Sequence, residues 1–296
     1  PDDYEVLLLQ GGASMQFCMV AMNLLQGGVA DYLDTGTWSK KAAVEAQRFG
    51  DARVVWSGAD VGYRRVPKDG EWKASENAVY THYTSNNTIY GTRFQQFPDM
   101  GNIPLVADMT SEFLSRSLNI EKFGVIFAGL QKNLGPPGLA LVIIREDLLE
   151  HASPETPSLL NYKTYAEKHS LANTNNTFAI YMMKLVLEWL KEQGGVSALE
   201  SQNEAKADLL YKLIDQSGFY QGTAQTEHRS TMNVTFNLEN NDLVSKFVDQ
   251  ALDQGLYALK GHRNVGGIRA SIYNAMPIAG CEALAQFMRE FERRNG

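Results

Sequence analysis

The chain has 296 residues, 44% of them hydrophobic and 21% charged, with a formal net charge of −7. That length holds one large or two ordinary domains, and the composition is that of a soluble globular protein. The acidic balance argues against nucleic acid or an anionic membrane as a partner.

Cys18 and Cys281 lie far apart, each in a helical apolar pattern, and read as small buried hydrophobes. The histidines at 82, 151, 169, 228 and 262 are scattered, so no metal site is expected, and no apolar run is long enough to span a bilayer. The chain opens on Pro1-Asp2-Asp3-Tyr4 and enters a strand at once, with no initiator methionine and no targeting segment. Such a start reads as a fragment or a processed chain.

Residues 5–9 form a buried strand. Gln10-Gly11-Gly12-Ala13-Ser14 follows, then an apolar helix through Phe17, Val20 and Leu24 that Gly27-Gly28 closes. A strand, a glycine turn and a helix aim free backbone N–H groups at an anion. Neither a Walker loop nor the dinucleotide fingerprint is present, so an ordinary strand-to-helix turn also fits. A second strand covers 30–35. Ser39 is placed to cap a helix over 40–49, with Trp38 at the mouth of the turn. An indole there either covers a planar ring or packs on its own domain.

Strands at 54–56 and 78–83 follow, the latter ending in a polar loop over 84–91 that contains Thr88. Two short apolar runs then each end in a polar group. The run at 105–108 delivers Asp108, and the run at 125–128 leads through Gly129 to Gln131-Lys132. In an open α/β sheet, ligands sit outside the carboxyl ends of the strands. A lysine and a carboxylate at neighbouring strand ends are the pair that a pyridoxal phosphate enzyme needs. The amine bonds the cofactor, and the carboxylate pairs with the pyridine nitrogen so that the ring accepts electrons. On these residues alone, a solvated loop lysine and a strand-end cap fit as well.

Gly135-Pro136-Pro137-Gly138 makes a rigid loop beyond Lys132, and a strand at 139–144 ends the run. Alternating strands and helices predict a mostly parallel or mixed sheet covered on both faces. Residues 151–177 are polar and irregular, the kind of long segment that is often functional. Phe178, Tyr181, Met182, Leu185, Val186 and Trp189 repeat at helical spacing and read as core. Beyond them come helices over 198–215, 241–254 and 280–293 and strands near 232–236 and 268–272. The expected division is a large domain over 1–190 and a smaller α+β domain over 191–296. In the second, Lys260, His262, Arg263 and Arg269 lie among three glycines. That loop either clamps a multiply charged anion or is merely solvated. The acidity of the rest of the chain and the close approach that glycine allows favour the clamp.

In order and spacing, these segments resemble the phosphoserine aminotransferases, a class-V family of fold-type-I pyridoxal phosphate enzymes. The residues that carry the likeness are Gln10 to Phe17, Gly36-Thr37-Trp38, Asn87 to Gly91, Ala107 to Ser111, Phe123 to Gly129, Gln131-Lys132-Asn133, Gly261-His262-Arg263 and Arg269 to Asn274. The likeness covers essentially the whole chain. It implies that Lys132 carries the cofactor covalently, that Asp108 pairs with the ring nitrogen, that Trp38 stacks on the ring and that Thr88 meets its phenolic oxygen. Ala13, Ser14 and Gln131 would hold the cofactor phosphate, joined by Asn173 and Thr174 from the other subunit of a homodimer with shared sites. Arg269 would bind the substrate α-carboxylate. His262 and Arg263 would take the substrate phosphate or the distal carboxylate of glutamate. The implied reaction interconverts L-phosphoserine and 2-oxoglutarate with 3-phosphooxypyruvate and glutamate, in cytoplasmic serine biosynthesis.

Three departures from the family pattern are visible. The family chain begins several dozen residues earlier, in a segment that carries a His-Arg pair for the distal anion. Asn175-Asn176 stand where prolines are common, and Ala13-Ser14 stand where many members have Gly-Arg. The first departure motivates an alternative: a dimeric cofactor-binding protein with little turnover. A cysteine desulfurase or an alanine–glyoxylate-type aminotransferase would share Lys132 and Asp108, but not His262-Arg263 beside Arg269.

Overall fold

The computed structural model describes residues 1–263 and 265–296; Asn264, within the glycine-rich loop, lies outside them. The first half of the chain builds a seven-stranded sheet. Its strands are β1 (Tyr4–Gln10), β2 (Val29–Asp34), β3 (Asp51–Ser57), β4 (Ala78–Thr84), and then, past the short hairpin of β5 (Asn86–Asn87) and β6 (Thr92–Arg93), β7 (Leu105–Asp108), β8 (Val125–Gly129) and β9 (Leu139–Arg145). The order across the sheet is β1-β9-β8-β7-β4-β2-β3. β9 pairs antiparallel with both of its neighbours, whereas β8, β7, β4, β2 and β3 pair parallel. β9 alone is therefore reversed. The carboxyl ends of β1, β2, β4, β7 and β8 all open on the same edge.

β7 and β8 are buried along their whole length, as uninterrupted apolar strands covered on both faces should be. On one face lie α1 (Gly12–Leu24), α2 (Thr37–Ala46) and α3 (Tyr162–Glu167), packed over Leu9, Phe17, Val20, Tyr32, Tyr80 and Phe127. The other face buries Leu33, Tyr83, Phe94, Phe113, Phe123 and Ile126. There α4 (Thr177–Glu192) contributes Ile180, Met183 and Leu187.

A three-stranded antiparallel sheet, β10 (Tyr220–Gly222), β11 (Asn233–Leu238) and β12 (Ile268–Ser271), packs against α5 (Gly195–Gln216), α6 (Leu243–Asp253) and α7 (Ile278–Asn295). Its core holds Tyr220, Phe236, Phe247, Phe287 and Phe291, with rings mostly edge-on to one another. Asn86 joins the two sheets. Its amide donates to Ser111 Oγ at 2.9 Å and to Asn233 Oδ1 at 3.0 Å, and its carbonyl oxygen accepts from Ser230 Oγ.

Four expectations are corrected. The helix after Gly36 begins at Thr37, so Ser39 lies inside its first turn instead of capping it; the Ser39 hydroxyl still accepts from the Thr35 and Gly36 N–H groups at 2.9 and 3.0 Å. The polar loop 84–91 contains β5, and the irregular segment 151–177 contains α3. The short strand β10 escaped the pattern altogether. The stripe on α4 is not core within this chain: Phe178 is 67% exposed and Tyr181 54%. α4 is apolar on two sides, and the side toward the sheet is the one carrying Ile180, Met183 and Leu187.

Candidate active site

The shared edge of the parallel strands holds a pocket lined by Ala13, Ser14, Phe17, Trp38, Thr84, Asn86, Asp108, Thr110, Ser111, Gln131 and Lys132. Six of the residues singled out by sequence meet there, drawn from the ends of β1, β2, β7 and β8. Thr84, Thr110 and Ser111 were not singled out. The last two stand two and three residues after Asp108, inside the segment 107–111 that carries the family likeness, and that proximity was the available signal.

Lys132 takes a positive φ of 92°, a strained conformation for a residue with a Cβ. The surroundings fix it. The Asn133 side chain donates to Phe113 O at 3.1 Å and accepts from Asn274 N at 3.2 Å, and the Leu134 and Gly135 N–H groups both return to Leu130 O. A Cβ at Gly129 would meet the Gln131 amide oxygen at 2.6 Å, so a larger residue there would displace the Gln131 side chain. Burial lowers the Lys132 pKa to about 8; the Asp108 carboxylate opposes the shift, and the Arg269 guanidinium adds to it.

Asp108 is buried at the end of β7. Burial raises its pKa above the usual carboxylate value, offset by hydrogen bonds from the Thr110 hydroxyl and N–H and by the Lys132 charge. The Thr110 N–H donates to Asp108 Oδ1 at 3.0 Å, and Thr110 Oγ1 accepts from Gly129 N at 3.1 Å. Thr110 thus ties the ends of β7 and β8 together, beneath the lysine and the carboxylate. Thr84 pairs with Asp108 across the two strands. Its hydroxyl is buried, lines the pocket and has no hydrogen-bond partner.

Trp38 stands in the first turn of α2 and donates Nε1–H to Thr88 Oγ1 at 3.2 Å. The preceding loop is clamped by Asp34, whose carboxylate accepts from Ser57 Oγ at 2.9 Å and Tyr63 Oη at 3.0 Å. On the opposite wall, Gly11 enters α1 at φ 97°. No side chain caps that helix end. The first-turn N–H groups at Ala13 and Ser14 therefore face the pocket as anion donors.

Arg269, on β12, donates Nη1–H to Thr88 O at 3.4 Å, while its Nε is buried without a partner. His262 and Arg263 stand beside it on the glycine loop, where Gly261 N donates to Gly267 O at 2.8 Å and Gly266 N to His262 O at 2.8 Å. Partial burial lowers the His262 pKa first, and the charges of Arg269, Arg263 and Lys41 lower it further. Lys260 faces solvent. Asn173 and Thr174 do not line the pocket of their own chain. Thr174 is exposed, with its carbonyl accepting from Gln10 Nε2 at 2.6 Å, and Asn173 Oδ1 is buried without a partner.

The residues present fit pyridoxal phosphate. A carboxylate and an amine of lowered pKa share one pocket, a helix N-terminus without a side-chain cap suits a phosphate, a hydroxyl-bound indole forms one wall, and an orphaned buried hydroxyl adjoins Asp108.

The family model for aminotransferase class-V matches residues 1–284. The chain is 52% identical to a phosphoserine aminotransferase of Pseudomonas aeruginosa over 297 residues, covering all of this chain and 82% of the relative. The solved phosphoserine aminotransferase from Bacillus circulans subsp. alkalophilus is similar at a TM-score of 0.98 and 48% identity, over 100% of this chain and 82% of that one. A PLP-bound phosphoserine aminotransferase from Trichomonas vaginalis gives a TM-score of 0.92 at 39% identity, over 98% of this chain and 83% of that one.

Proposed function

The chain belongs to the class-V aminotransferases, and we propose a role in that chemistry for each residue of the pocket around Lys132. Its reaction is pyridoxal phosphate-dependent and interconverts L-phosphoserine and 2-oxoglutarate with 3-phosphooxypyruvate and L-glutamate, a step of serine biosynthesis. When bound, the cofactor supplies an aldehyde that takes up amino groups and a ring that delocalises the electrons left at Cα.

Lys132 anchors the cofactor through Nζ. The same Nζ, when neutral, would take the proton from substrate Cα and hold it for return to the substrate. A pKa near 8 suits both tasks, since the amine is a base at working pH without being locked as ammonium. Asp108 would pair with the cofactor's ring nitrogen, with Thr110 holding its carboxyl group in place. Trp38 covers the ring, and Thr88 meets its phenolic oxygen. Ala13, Ser14 and Gln131 hold the phosphate at the α1 N-terminus, where N–H donors and the helix dipole act together. Arg269 binds the α-carboxylate, its unpartnered guanidinium edge supplying the donors. His262 and Arg263 receive the distal anion.

The observation that carries this reading is the placement of Lys132 and Asp108 in one buried pocket at the carboxyl edge of the parallel strands. The purified protein is expected to turn yellow with pyridoxal phosphate and to lose that band when glutamate is added, as the amino group transfers. A protein that stays colourless would overturn the reading.

The chain acts as a homodimer with shared sites. Exposed Leu171, Phe178 and Tyr181 supply an apolar surface beside Asn173 and Thr174, which then reach the partner's cofactor phosphate. The proposed large domain runs over 1–190 and the small one over 191–296, the change falling in the last turn of α4, shortly before Gly194 turns the chain at φ 95°. No helix among the described residues is long and apolar enough to cross a membrane. The cytoplasm is the proposed compartment; Cys18 and Cys281 are both free, as suits a reducing environment.

A further inference from the structure

We propose that Lys41 is a specificity-determining residue of this site, its ammonium joining His262 and Arg263 in binding the distal phosphate of the substrate. The proposal rests on the reading of the site given above. Lys41 follows Trp38 by three residues on α2, which puts the two side chains on one helix face. Its ammonium stands 4.9 Å from the centre of the Trp38 ring. Trp38 donates to Thr88 Oγ1, and Thr88 O in turn accepts from Arg269. Lys41 therefore begins a continuous line of contacts that ends on the guanidinium assigned to the substrate.

Its charge reaches the glycine loop as well, where it acts on His262 together with Arg263 and Arg269. Lys41 forms none of the ion pairs found among the described residues. It lines a cleft that joins the cofactor pocket at Ser14 and Phe17. The carboxylate lining that cleft, Glu45, is already engaged by Arg48 at 3.1 Å and by the Cys18 thiol at 3.6 Å. The cation is thus left for a ligand.

The chemistry makes this a matter of selectivity. The two amino donors share an α-carboxylate and differ at the far end. Phosphoserine presents a phosphate of about −1.5 to −2 charge there, and glutamate a carboxylate of −1. An added exposed cation favours the more highly charged group and does so less as salt rises.

The test is steady-state kinetics of the holoenzyme with each donor, comparing wild type, Lys41→Gln, Lys41→Arg and, as a control, Lys40→Gln. Lys40 lines the same cleft but is not among the charges acting on His262. In Lys41→Gln, KM for phosphoserine should rise about threefold to fivefold at low salt, the size of an exposed ion pair. KM for glutamate should rise less, the gap should close at high salt, and Lys41→Arg should restore it. An equal rise for both donors, an unchanged KM, or the same effect from Lys40→Gln would overturn the proposal. A wild type that turns over glutamate but not phosphoserine would overturn the functional reading itself, a distinguishable failure.

Discussion

The two halves of the site are built differently. In the proposed cofactor half, Asp108 and Thr110 are buried and cross-bonded at the ends of β7 and β8, with Lys132 half-buried beside them. The proposed substrate half, His262, Arg263 and Arg269, stands on a glycine loop and on β12, one strand of the smaller sheet, with a guanidinium edge unpartnered among the described residues and a surplus of positive charge. The difference matches the tasks. A resident group needs a fixed seat, whereas two exchanging substrates need donors that stay open. Changes in the first half should therefore strike kcat and the visible band, and changes in the second should strike KM.

The largest effect is expected at Lys132. Lys132→Ala should abolish the visible band and cut turnover by about 10³-fold or more, since anchoring and proton transfer are lost together. Retained turnover would dissolve the distinction between the halves. Asp108→Asn comes next, with kcat down by about 10²-fold, the scale of one preorganised electrostatic group, and KM for phosphoserine little changed. A purely KM effect would place Asp108 in the wrong half.

Arg269→Lys keeps the charge and loses the planar fork. An about tenfold to hundredfold loss of kcat/KM for both donors is expected, with the visible band intact. A change confined to one donor would argue against an α-carboxylate role.

The smallest effect concerns pH. Because burial disfavours the Lys132 ammonium, capture of added cofactor by the cofactor-free protein should speed up with rising pH, with a midpoint near pH 8 and a plateau above it. Asp108 holds the proton on, so Asp108→Asn should move that midpoint down. Stopped-flow absorbance reads both, and a midpoint near that of an ordinary lysine would contradict the buried amine.

Much of the cofactor half was legible in the sequence. Uninterrupted apolar runs ending in Asp108 and Gly129 mark buried strands, and the end of such a strand is where a polar side chain meets a ligand. The strain at Lys132 was not legible, because the bonds of Asn133 that impose it come from residues 113 and 274. Nor were the hydroxyls of Thr84 and Thr110, a residue type too common in strands and turns to single out. Lys41 was hidden by helix periodicity, which marks it as a solvated face residue and says nothing of the loop across the cleft. The α4 stripe shows the same limit from the other side. Helical spacing reveals an apolar face, but not whether the surface that covers it belongs to the same chain.

Lys132 is the proposed anchor of the cofactor. Borohydride reduction of the yellow holoprotein, followed by digestion and peptide mass spectrometry, should give a single reduced pyridoxyl phosphate adduct on Lys132. An adduct on another lysine, or none, would contradict that role.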